Sequence, residues 1–94
     1  MSGEAAGRNK PETHLYLVIF HINDDLAFFN AALKMARRRP PGIRLRHWFM
    51  SADGLTSYAV WEAAEPHLLM GILDVEFDQV AEYDLSEVHL LWGE

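Results

Sequence analysis

The sequence predicts an α+β domain in which one four-stranded sheet and two helices follow each other in the order βαββαβ. Three observations carry that prediction. Apolar, β-branched and aromatic residues fill the stretch from His14 to Ile22 at both parities, Pro40-Pro41-Gly42 cuts off a helical period, and Asp53-Gly54 joins two further strand-like runs. At 94 residues, half of them hydrophobic and 12% aromatic, the chain can bury one core and has no room for a second domain.

The first run, residues 14–22, is apolar on both of its faces and so predicts a central strand, β1. Asn23-Asp24-Asp25 then supplies an N-cap and early negative charge for a helix, α1, which Pro40-Pro41-Gly42 stops. Asp24 and Asp25 are therefore assigned to capping rather than to a catalytic carboxylate pair. In α1 the spacing of Leu26, Phe29, Leu33 and Ala36, flanked by Phe28 and Met35, predicts the buried stripe. Arg37, Arg38 and Arg39 stand where a helix C-terminus favours cations. Residues 43–50 predict strand β2 and residues 56–62 strand β3, joined as an antiparallel hairpin through Ser51-Ala52-Asp53-Gly54. Glu65-Pro66 opens a second helix, α2, because proline in the first turn forfeits no helical hydrogen bond. Its stripe is Leu68, Ile72 and Val75, and Leu69, Met70 and Leu73 on another face predict burial on more than one side. Residues 80–92 predict the last strand, β4.

This order is the split βαβ, or ferredoxin-like, arrangement, with predicted strand order β4-β1-β3-β2 and both helices on one face. Because β1 is apolar on its other face as well, a second copy of the chain is the expected cover, giving a sheet-to-sheet homodimer. Val18 or Phe20 is expected to meet that partner, so that aspartate at either position would give a monomer or insoluble protein.

Charge and composition exclude several functions. With no cysteine, disulfides, thiolate metal sites, iron–sulfur clusters and a thiol nucleophile are all ruled out. Residues 1–13 are polar and lack the apolar core of a signal peptide, so they predict a flexible tail on a cytoplasmic protein; no apolar run is long enough to span a bilayer. Net charge is −6, and six of the eight basic residues (Lys34, Arg37, Arg38, Arg39, Arg44 and Arg46) fall in one window, with none after it. That balance argues against nucleic acid as a partner. Tyr16 and Tyr58 do fall on strands where an RNA-recognition domain of this topology would stack bases, but Asp53 stands before Gly54 where such a domain has a basic residue.

His47-Trp48 in β2, Ser57-Tyr58-Ala59-Val60-Trp61-Glu62 in β3 and the Glu65-Pro66 opening together make the chain resemble the dimeric α/β-barrel superfamily, over about residues 15–91. It is similar to muconolactone-isomerase-like and antibiotic-biosynthesis-monooxygenase-like members. The resemblance implies a small dimeric enzyme of the cofactor-independent isomerase, cyclase or monooxygenase kind, acting on an apolar, aromatic or polyketide-like molecule. The alternative it leaves open is a non-catalytic accessory module, binding nickel or zinc or a protein partner.

Candidate site residues follow from side-chain chemistry. His21, His47 and Tyr58 are the catalytic candidates, because a neutral imidazole takes a proton near neutrality and a phenol donates to a developing oxyanion. Trp48, Trp61 and Phe20 are the substrate-binding candidates, offering flat apolar walls, and the expected place for all of these is a cavity between sheet and helices. No cofactor is expected. For a divalent metal the alternative ligands are His14, Glu62 and His89, collected at one sheet edge. The arginine window, Arg37 to Arg39 with Arg44 and Arg46, suits an oxyanion.

Overall fold

The computed structural model describes residues 13–93; residues 1–12, most of the expected tail, and residue 94 lie outside the described residues. The elements are β1 (His14–Ile22), α1 (Asp25–Arg38), β2 (Ile43–Met50), β3 (Thr56–Ala63), α2 (Pro66–Glu76) and β4 (Ala81–Val88). They form one four-stranded antiparallel sheet of order β2-β3-β1-β4, which read from the opposite edge is β4-β1-β3-β2.

Local chemistry accounts for the boundaries. Asp24 caps α1, its Oδ1 accepting the Ala27 N–H at 3.0 Å. A proline disfavours the α region for the residue before it, so α1 ends at Arg38, and Arg39 turns left-handed at φ 49°. In the hairpin, Asp53 Oδ1 accepts from Ser51 Oγ at 2.6 Å and from the Leu55 N–H at 3.0 Å, while Gly54 takes φ 76°. The last strand is shorter than expected: it stops at Val88, and Leu90, Leu91 and Trp92 beyond it are exposed.

Both helices pack on the same face of the sheet. Tyr16, Val18 and Phe20 of β1 and Ser57, Ala59, Trp61 and Ala63 of β3 point into that layer and are buried. Phe20 is its centre, with Phe28, Trp48, Trp61 and Phe77 at ring-centroid distances of 5.2, 5.9, 6.2 and 4.7 Å. Val18 and Phe20 therefore face the protein's own helices and not a partner, which corrects the expectation placed on them.

The helices are rotated relative to the sequence-based reading. In α1 the buried residues are Phe28 and Met35, with Ala31 and Ala32 packed beside them, whereas Leu26, Phe29 and Leu33 are exposed. In α2, expected to be buried on more than one side, Leu69 and Leu73 are buried as that reading required and Ile72 packs beside them, but Leu68 and Val75 of the named stripe are exposed. Glu76, its side chain only 7% exposed, ties the helices together by pairing with Arg38 and with Lys34 at 3.8 Å.

A β-bulge between Leu45 and His47 breaks the alternation of β2. Leu45 pairs with Trp61 and Trp48 with Ala59, so both turn toward the helices although their positions have opposite parity. The extra residue, Arg46, reaches Glu62 Oε1 at 3.0 Å.

Candidate functional site

β2 is an edge strand, and α1 does not extend far enough to cover it completely. The gap is a cleft of about 440 Å³ between the end of α1 and the helix-facing side of β2. Met35, Ile43, Leu45, Trp48 and Trp61 give it apolar walls, and the exposed Arg39 and Arg44 also line it. Its volume is in the range of small-molecule sites, which pair aromatic walls with a few polar groups. Trp48 is held in place: its Nε1 donates to Ser57 Oγ at 2.8 Å, and that hydroxyl donates to the Phe49 carbonyl at 2.7 Å. The indole faces are thus fixed before any ligand arrives.

The expected residues divide between the two faces of the sheet. Trp48 and Trp61 line the cleft, whereas Phe20 is fully buried in the core and does not reach it. His21, His47 and Tyr58 point to the opposite, uncovered face, as their pairing positions require. His21 pairs with Thr56 and His47 with Val60, four residues further along β3, which at strand rise is about 13 Å. These two imidazoles are too far apart to act on one atom. His21 Nε2 lies 3.1 Å from Asp84 Oδ2, and His47 stacks on Phe49 with ring centroids 6.0 Å apart.

The uncovered face is apolar along its middle. Leu15, Leu17 and Ile19 of β1, Val60 of β3 and Val88 of β4 are half-buried there, with Tyr58 and Phe49 more exposed. Glu82 and Asp84 of β4 flank it on one side, and Arg44, Arg46 and His47 of β2 on the other. At one end a shallow depression of about 170 Å³ is lined by residues that include Leu15, Val60 and Val88 together with His89 and Leu90.

The alternative metal ligands do not converge. His14 is paired with Ala63 on the helix-facing side, its Nδ1 3.1 Å from Glu87 Oε2. Glu62 is on the other face, accepting from Thr13 Oγ1 at 2.6 Å and from Arg46, and His89 lies past the end of β4. Among the described residues no three His, Cys, Asp or Glu side chains come together in a metal-binding group.

Two tyrosines have displaced pKa values for reasons of burial. Tyr83 is pushed up to about 12 by burial and by its hydrogen bond to Asp74 Oδ1 at 2.7 Å. Tyr16 is raised by burial and then by the charges of Glu87 and Glu65. Both phenols stay protonated at neutral pH, so neither serves as a base.

Sequence reasoning had Arg39 and Arg44 in a window suited to an oxyanion without tying them to this cleft, and it missed Met35, Ile43 and Leu45 as walls of a site. The Arg39-Pro40 step was the available signal that Arg39 must leave the helix. Comparison with protein-family models, with curated proteins and with solved structures finds no match to this chain. Among the described residues no helix is long and apolar enough to cross a membrane.

Proposed function

We propose that the protein is a homodimeric small-molecule-binding protein of the dimeric α/β-barrel kind, taking a flat apolar molecule against Trp48 and Trp61. The observation that carries this reading is the cleft itself: about 440 Å³ between α1 and β2, with two indoles in its walls and one of them clamped by Ser57. A flat ring can lie against the wall these two indoles form, edge to face with centroids 5.0 Å apart, at little entropic cost, because Trp48 is already held by Ser57. The dimer is supported by the apolar band on the uncovered sheet face, which two copies would bury against each other.

The cleft supports binding more directly than chemistry, since its lining holds guanidinium groups but no imidazole or carboxylate. A catalytic reading, an isomerase, cyclase or cofactor-independent oxygenase, is separate from the cleft and rests on His21 and Asp84, which lie on the opposite face of the sheet. A carboxylate 3.1 Å from an imidazole orients it as a base, and a second copy over this face would enclose the pair together with Tyr58.

Calorimetric titration with a neutral two-ring aromatic, 2-naphthalenemethanol, tests the site. Saturable binding at about one molecule per chain is expected, and Leu45→Trp, which fills the cleft from β2, should abolish it. Binding that persists unchanged in that variant, or no saturable binding at all, overturns the proposal.

A further inference from the structure

Five arginines surround the cleft in sequence, and their pairing is uneven. Arg38 is engaged by Glu76 and Arg46 by Glu62. Arg39 lines the cleft and has no ion-pair partner among the described residues, whereas Arg44 stands across from Glu62 on the uncovered face and its charge helps to lower that carboxyl's pKa. A second observation singles out Arg39. It closes α1 in the left-handed region, φ 49° and ψ 65°, its N–H bonded to the Met35 carbonyl at 3.4 Å. That position favours glycine or asparagine, and a Cβ-bearing arginine is a poor choice for the turn as such. Backbone strain of this kind clusters at ligand sites; Gln79, after α2, shares it at φ 63°, and of the two it is Arg39 that carries a charge and lines the cleft.

Resting on the reading of the cleft as a small-molecule site, we propose that its ligand is an aromatic monocarboxylate. The rings lie against Trp48 and Trp61, and the carboxylate is taken by the guanidinium of Arg39. Guanidinium and carboxylate match as a bidentate pair, and a planar acid presents its charge at the edge of its ring, so one molecule satisfies both the walls and Arg39. The chain's net charge of −6 selects against polyanions, which the rest of the surface repels, and leaves a single negative charge as the better match.

The test compares 2-naphthoate with 2-naphthalenemethanol, which share a ring system and differ in charge, on the wild-type chain and on Arg39→Gly and Arg39→Lys. Wild type should bind the acid at least about tenfold more tightly than the alcohol, and the preference should shrink as salt is added. Arg39→Gly should remove that preference, the acid losing at least about tenfold more affinity than the alcohol, and its melting temperature should be unchanged or higher, because glycine suits the left-handed turn. Arg39→Lys should retain part of the preference. Equal affinity for acid and alcohol in wild type, or a preference that survives in Arg39→Gly, overturns this inference and leaves the binding reading standing. Failure of both compounds to bind overturns the two together.

Discussion

Glu62 stands on the uncovered face with the Thr13 hydroxyl and the Arg46 guanidinium both directed at its carboxylate, and these bonds hold its pKa below the ordinary value of 4.5. A carboxyl whose folded pKa is depressed adds stability that is present above its unfolded pKa and lost as pH falls through the folded one. Urea denaturation at about pH 5 and about pH 3 should therefore show wild type losing more stability on acidification than Glu62→Gln, by less than about 1 kcal/mol because the pair is solvated. Equal losses in the two proteins would remove Glu62 from the acid response. At this scale the sequence was informative wherever a residue acts on its own neighbours. Asp24 as a cap, Pro66 as a helix opening and Asp53-Gly54 as a turn were all legible, since each is decided within a few residues. Arg39 was not legible as a cleft residue, because what it faces comes from β2 and β3.

The helix α1 carries two apolar stripes of the same period, offset around its axis. Leu26, Phe29 and Leu33 make one; Phe28, Ala31, Ala32 and Met35 make the other, and only the second is against the sheet. Period alone cannot choose between them. Phe28→Ala should accordingly cost about 3–5 kcal/mol, as expected for loss of a buried aromatic ring. Phe29→Ala, one position along and half exposed, should cost less than about 1 kcal/mol. Thermal and urea unfolding of the two variants decide the matter, and a Phe29 loss equal to that of Phe28 would mean that the outer stripe is also buried. In α2 the same ambiguity was met by expecting burial on two sides; Leu69 and Leu73 do face inward, whereas Leu68 and Val75 do not. In β2 the bulge after Leu45 is the corresponding hidden feature: it brings Leu45 and Trp48 to one face, and the cleft depends on having both there.

Taken whole, the molecule has one face closed by helices and one face open. On the open face Leu17, Ile19, Val60 and Tyr58 lie side by side on the two central strands, where an antiparallel sheet in contact with water would alternate to polar residues. If a second copy covers them, Ile19→Asp should convert a dimer to a folded monomer, read by sedimentation together with circular dichroism. An unchanged dimer in that variant, or a wild-type chain that sediments as a monomer, would count against sheet-to-sheet pairing. Val18 and Phe20 are unsuitable for this test, since a charge at either lands in the core and unfolds the chain.

The sequence by itself determined the order of elements, their approximate ends and the caps and turns between them, because those are set by interactions a few residues long. It also determined that β1 has two apolar faces, since a strand displays both sides in its alternation. Only the tertiary structure decided which face each side chain meets: that Trp48 and Trp61 look into a cleft while His21, His47 and Tyr58 look the other way. The physical reason is that facing depends on the rotation of helices and the register of strands, including one inserted residue. Those are fixed by packing among segments far apart in the chain.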